Sequence, residues 1–129
     1  MAKEVWSMKN VLIVEDSSMT RSLVRSVASE IEDVETYEAS SGFEALKMLP
    51  ARKYDLIITD INMPDINGLE LVNFVKKDEL YSSIPLIIIS TERTEEDRNR
   101  GMHMGADAYV AKPFNTDELS DIIERLLNR

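Results

Sequence analysis

Three unbroken apolar runs stand out along the chain: Val11-Leu12-Ile13-Val14, Leu56-Ile57-Ile58 and Leu86-Ile87-Ile88-Ile89. Runs that are continuous rather than alternating suit parallel strands covered on both faces. They predict strands over 10–14, 56–60 and 84–89, the last with Pro85 tolerated at its start. Val34-Glu35-Thr36-Tyr37-Glu38-Ala39 alternates instead, which reads as a strand with one face partly wet, at the sheet edge. A brief fifth strand is expected over 105–111.

Between these runs the apolar period lengthens to that of a helix. Leu23, Val24, Val27 and Ile31 predict a first helix capped by Ser17 or Ser18. After the Ser40-Ser41-Gly42 loop, Phe43, Ala45, Leu46 and Leu49 mark a short second helix closed by Pro50. Leu69, Leu71, Val72 and Val75 form the inner face of a third, which begins at about Gly68 and ends in the charged Lys76-Lys77-Asp78-Glu79. The stretch 92–100 is strongly charged and starts a fourth helix with a thin inner face, Met102 and Met104, which should be held least firmly. Asn115 or Thr116 caps a fifth, with Leu119, Ile122, Ile123, Leu126 and Leu127 inward. Strand and helix thus alternate five times, which implies a parallel sheet, right-handed crossovers and helices on both faces.

Composition narrows the class of protein. At 129 residues the chain fits one domain over 1–129, with a polar lead over 1–9. Its 43% hydrophobic and 30% charged residues describe an ordinary globular protein. A net charge of −9 argues against a nucleic-acid surface, which needs a basic patch to displace counterions. With no cysteine, disulfides, thiolate metal sites and thiol nucleophiles are excluded. The start lacks the apolar core of a signal peptide, and no apolar run is long enough to cross a bilayer, so a cytoplasmic protein is expected.

Each strand ends at polar chemistry. In a parallel sheet all carboxyl ends share one edge, so Glu15-Asp16, Asp60, Ser90-Thr91 and Lys112 should converge although they lie far apart in sequence. Clustered acids repel and raise one another's pKa unless a cation intervenes. A hard divalent ion such as Mg²⁺ meets that need, since it is held by one or two carboxylates with water and a phosphate oxygen. Lys112 opposite leaves a place for a phosphoryl group. Met63-Pro64 and Asn67-Gly68 break the chain just beyond Asp60 and shape its turn.

The residues Leu12-Ile13-Val14-Glu15-Asp16, Ile58-Thr59-Asp60-Ile61-Asn62-Met63-Pro64, Gly68, Pro85 through Ser90, Gly105-Ala106 and Tyr109-Val110-Ala111-Lys112-Pro113-Phe114 span nearly the whole chain. In that order and spacing the chain resembles a receiver domain of two-component response regulators, most nearly the single-domain chemotaxis type. The resemblance implies a doubly wound, flavodoxin-like five-stranded sheet in the order 2-1-3-4-5. It makes Asp60 the acceptor of a phosphoryl group from a sensor histidine kinase. Asp16 and Asp60 would bind Mg²⁺ or Mn²⁺ directly, the Asn62 backbone carbonyl would be a third ligand, and Glu15 would act mainly through water. Many family members have two aspartates where this chain has Glu15-Asp16. Ser90 matches the hydroxyl that hydrogen-bonds the phosphoryl oxygen and Lys112 the lysine that neutralises it. Asn62 and Glu92 occupy positions that tune the lifetime of the acyl phosphate, and Lys112-Pro113 matches a cis bond.

The same resemblance implies a signalling phosphoacceptor rather than an enzyme with separate turnover. When Ser90 moves toward the phosphoryl oxygen, Tyr109 rotates inward beneath the fourth helix, and the helix 4, strand 5 and helix 5 surface changes. Glu95, Arg98, Met102, Tyr109 and Ile122 are its expected readout residues. The expected partner is a phosphorylation-dependent protein target, a motor or a downstream regulator, with no nucleic acid and no membrane insertion, in chemotaxis or motility.

Blander readings exist for each residue alone. Asp60 could cap a turn, Glu15-Asp16 could sit at a helix N-terminus, and Tyr109 could simply pack. His103 is expected at the surface. A phosphatase using Asp60 as nucleophile would want an aspartate where Asn62 stands. A flavin carrier on this topology would need a phosphate loop where the chain has acids. A phosphorelay intermediate, passing the group to another histidine, is the nearer alternative, and a scaffold receiver is disfavoured because no site position is lost.

Overall fold

The computed structural model describes residues 8–128, so most of the polar lead expected over 1–9 lies outside the described residues. The elements run β1 (Lys9–Val14), α1 (Ser18–Ser29), β2 (Val34–Ala39), α2 (Gly42–Met48), a 3-10 turn (Leu49–Ala51), β3 (Leu56–Asp60), α3 (Gly68–Lys77), β4 (Leu86–Ser90), α4 (Glu95–His103), β5 (Ala108–Ala111) and α5 (Thr116–Leu127). All neighbouring strands pair in parallel, in the order β2-β1-β3-β4-β5. The alternating strand is indeed at one edge, and β3 and β4, buried at every residue, lie inside.

The strand period of two divides the core into two layers. Leu12, Val14, Ile57, Leu86 and Ile88 meet Ala45, Leu71, Val72 and Val75 on the α2 and α3 side. Val11, Ile13, Ile58, Ile87 and Ile89 meet Val24, Val27, Leu119 and Ile123 of α1 and α5 on the other. Continuous aliphatic runs are therefore what a sheet needs when both faces are roofed.

Side-chain placement departs from the sequence pattern at the helix margins. Leu23 and Phe43, expected inward, are exposed; Val24, Val27 and Ala28 carry the inner face of α1, and Ala45 that of α2. Ile122 of α5 is only half-buried. Pro50 lies inside the 3-10 turn that continues α2, where its missing N–H costs nothing in a helical first turn. Met102, expected as inner face of α4, is exposed at 40%. Gly101 takes that role, because a Cβ there would stand 2.9 Å from Ile88 Cδ1 and 3.0 Å from Tyr109 Cδ2. The helix backbone itself rests on the sheet, and Met104 alone of the two methionines reaches the core.

With so little buried, α4 depends on its ends and its charges. Thr94 and Asp97 form a reciprocal capping box, and Arg100 pairs with Glu96 at 3.8 Å and Asp97 at 3.5 Å. Such exposed pairs contribute only about 0.3–0.5 kcal/mol each, so α4 is the element most easily shifted. Its firmer neighbour α5 buries Leu119, Ile123, Leu126 and Leu127 and is capped by Asn115, which accepts from two amides.

Candidate functional site

The order of strands makes the carboxyl ends of β1 and β3 neighbours while their crossovers leave on opposite faces, which opens a crevice at that edge. Asp60 is the last residue of β3 and Ser90 the last of β4. Glu15 and Asp16 follow β1, and Lys112 follows β5. The expected convergence is met: one carboxylate oxygen from each of Glu15, Asp16 and Asp60 lies within 4.8 Å of the others. Lys112 Nζ reaches in at 2.7 Å from Glu15 Oε1 and 3.5 Å from Asp60 Oδ2.

Burial differs sharply among the acids. Glu15 is wholly enclosed, Asp60 is 3% exposed, and Asp16 stands open to solvent. Burial pushes the Glu15 carboxyl above its ordinary range. The Lys112 ammonium and the Ser17 amide pull it back, and the nearby Asp60 charge adds to the rise. Both Glu15 oxygens are taken, Oε1 by Lys112 and Oε2 by the Ser17 N–H at 3.0 Å. Asp60 Oδ1 accepts from the Asn62 N–H at 3.2 Å, so the exposed Asn62 is bound into the turn.

The remaining positions join through the loop after β4. The Ser90 hydroxyl oxygen accepts from the Glu92 N–H at 2.9 Å, and the Tyr109 hydroxyl donates to the Glu92 carbonyl at 2.8 Å. Tyr109 is buried, with its ring already inward and the Arg98 guanidinium 5.8 Å from its centroid. Burial raises its phenol pKa, opposed by a hydrogen bond with the Ser90 side chain. Lys112-Pro113 is cis. Thr91 and His103 are exposed. Of the expected readout residues, Arg98, Met102, Tyr109 and Ile122 line a groove of about 1000 Å³ between α4, β5 and α5, and Glu95 lies outside its lining.

Two contacts were not foreseen from the sequence. Arg21 Nη1 donates to the Glu15 carbonyl at 2.9 Å while its Nε pairs with Glu38 at 3.2 Å, tying the acidic loop to β2. The Asp65 carboxylate accepts from the Gly42 and Phe43 amides, so the loop after β3 caps α2. An arginine on the first turn of a helix and an aspartate in a turn are too common to have signalled either role.

Donor chemistry tests which ion suits the cluster. The set is all oxygen and all carboxylate, with one ammonium beside it, which fits a hard cation of the Mg²⁺ or Mn²⁺ kind and not a site for a softer metal. Among the described residues no helix is long and apolar enough to cross a membrane.

A family model described as the response regulator receiver domain matches residues 11–124. The chain belongs to that family. Receiver domains are signalling phosphoacceptors that bind Mg²⁺ at an acidic pocket and interact with sensor histidine kinases and downstream targets. The chain is 36% identical over 121 residues to the phosphate regulon transcriptional regulatory protein PhoB of Pseudomonas aeruginosa, covering 94% of this chain and 52% of PhoB. It is 31% identical over 119 residues to the chemotaxis protein CheY of the same organism, covering 92% and 96%. The chain therefore spans about half the length of PhoB and nearly all of CheY. Among solved structures, the Francisella response regulator 1452 receiver domain superposes with a TM-score of 0.86 at 30% identity, covering 94% of this chain and 98% of that one. The chemotaxis response regulator CheY4 of Vibrio cholerae does so at 0.84 and 33%, covering 92% and 98%.

Proposed function

We propose that Asp60 accepts a phosphoryl group from a phosphohistidine of a sensor kinase. The observation that carries this is the Asp60 carboxylate at the sheet crevice, flanked by two more acids and by the Lys112 ammonium. A carboxylate oxygen of Asp60 attacks phosphorus, the P–N bond to the donor imidazole breaks, and the ring nitrogen leaves with the bonding pair. Such transfer requires in-line placement and neutralised equatorial oxygens more than covalent assistance.

The division of labour among residues follows from what each is free to do. Asp16 and Asp60, with the Asn62 backbone carbonyl, would hold Mg²⁺, and Glu15, whose oxygens are both engaged, would support them indirectly. Bound there, the ion supplies positive charge for the phosphoryl oxygens. Lys112 stands between Glu15 and Asp60, so a phosphoryl group on Asp60 competes with Glu15 for the ammonium. Asn62, whose N–H binds Asp60, and Glu92, whose N–H binds the Ser90 hydroxyl, would influence how fast water removes the group.

The output rests on Ser90. Turning its hydroxyl to a phosphoryl oxygen gives up the neutral bond from the Glu92 amide and gains one to a charged acceptor. The difference, about 1–2 kcal/mol, shifts a two-state equilibrium roughly 5- to 30-fold. Tyr109 needs no inward rotation, since its ring is already buried against Gly101 of the weakly held α4; it passes the change on through its hydroxyl, which is bonded to the Glu92 carbonyl. The groove between α4, β5 and α5 is the surface so altered, and its partner is a protein target. Likeness to chemotaxis proteins along nearly their full length supports chemotaxis or motility as the setting.

Intact-mass measurement tests the acceptor. With acetyl phosphate and Mg²⁺ the native chain should gain one phosphoryl group and Asp60→Asn none. Equal labelling of the two would overturn the assignment.

A further inference from the structure

Lys112 is held at its backbone from both sides, by the last residue of β4 and by the segment that follows it. Its N–H donates to the Ser90 carbonyl at 2.7 Å, and its carbonyl accepts from Arg93 Nε at 3.0 Å. Arg93 lies three residues after Ser90 and just ahead of Thr94, the cap of α4, so its backbone is placed by the capping box. Its side chain crosses from the loop after β4 to the loop after β5. There it forms part of the wall of a groove of about 350 Å³ with Thr20, Leu23, Pro113 and Phe114.

We propose that Arg93 is a positioning residue for phosphoryl acceptance: by clamping the Lys112 carbonyl it fixes the base of the side chain whose ammonium faces Asp60. This rests on the reading of Asp60 as acceptor. A lysine carries its charge on four flexible methylenes, so the ammonium is only as well placed as the backbone beneath it. The Lys112 ammonium must lie close to both Glu15 and Asp60, at 2.7 Å and 3.5 Å, and a small tilt of the peptide would move it toward one at the expense of the other. The clamp also links the two loops that carry Ser90 and Lys112, so the hydroxyl and ammonium move as one unit. Arg93 makes no ion pair among the described residues, and Nε is the atom it uses. Its role is therefore that of a hydrogen-bond donor at a given reach, not of a charge.

That distinction gives the test. Glutamine places its amide nitrogen the same number of bonds from Cα as arginine places Nε, without the charge, while methionine keeps the stem and removes the donor. The native chain, Arg93→Gln and Arg93→Met are phosphorylated with acetyl phosphate at saturating Mg²⁺, and initial rates are read by intact mass beside melting temperatures. Arg93→Met is expected to slow labelling about fivefold, the worth of one lost hydrogen bond, and Arg93→Gln to restore most of it. The melting temperature of Arg93→Met should fall by no more than a few degrees, the worth of the same bond at an exposed residue, so all three stay folded during labelling. A methionine variant as fast as native overturns the proposal. So does a glutamine variant as slow as the methionine one, which would assign the effect to charge. If native protein takes no label, or Asp60→Asn takes as much, the acceptor reading itself has failed, and the two failures are told apart.

Discussion

Gly68 lies so close against Asp60 that a Cβ on it would stand 2.3 Å from the Asp60 carbonyl oxygen. The first amide of α3 donates back to the Ile61 carbonyl at 3.0 Å, so the helix start is seated on the backbone of the acceptor. Backbone cannot swing aside as a flexible side chain can. Gly68→Ala is therefore expected to destabilise by about 1–3 kcal/mol, the usual cost of overpacking, or more. It should also slow labelling of Asp60 in the fraction that remains folded. Denaturant midpoints and intact-mass rates check the two effects separately, and a variant as stable as native would contradict the close seating.

Metal should be visible in stability. Three carboxylates within 4.8 Å, with one ammonium among them, leave excess negative charge that a divalent cation relieves only in the folded state. Mg²⁺ is expected to raise the melting temperature progressively, by about 2.7 kcal/mol in stability at a hundred times its dissociation constant. Asp16→Asn, at an exposed position, should leave the metal-free melting temperature no lower and flatten the response. Thermal melts across a Mg²⁺ series decide it, and an unresponsive native protein would count against the cluster.

Asp65 should make stability acid-sensitive. Its carboxyl is held below the ordinary carboxylate range, first by the Phe43 amide, with further amides, Ile66 and Gly42 among them, helping. A lowered folded pKa stabilises above the unfolded value of about 3.9 and loses that contribution as pH falls through the folded value. Asp65→Ala should melt below native at neutral pH, and the gap should close as the solution is acidified into that range. Paired melts at neutral and acid pH measure it; a gap independent of pH would deny the cap.

Tyr109 carries the opposite sign. Its phenol pKa is raised by burial, so its protonated form stabilises fully below the unfolded value of about 10 and is lost as pH rises through the folded one. Tyr109→Phe removes the bond to the Glu92 carbonyl and should cost about 0.5–1.5 kcal/mol at neutral pH, a cost that shrinks in strong alkali. Alkaline denaturation of the two proteins, followed with phenolate absorbance, compares them. The same variant should also weaken any change that phosphorylation makes at the α4, β5 and α5 surface.

Much of the fold is legible because it is written in local periods. Unbroken aliphatic runs over Val11–Val14 and Ile87–Ile89 suit strands roofed on both faces, and once they are parallel, Asp60, Ser90 and Lys112 share an edge. Capping residues Ser17 and Asn115 are equally local. What the tertiary structure decided are the contacts whose partners lie far apart along the chain. The pairing of Lys112 with Glu15 rather than more closely with Asp60 spans 97 residues. The Asp65 cap on Phe43 spans 22, and the Arg93 clamp on Lys112 spans 19. Helical spacing likewise marks an inner face without saying how near the helix comes, so only the packed structure shows Gly101, not Met102, lying on Ile88 and Tyr109. Sequence determined which groups meet at the crevice; the distances of closest approach, set by backbone packing that no local pattern encodes, decided which of them hold one another.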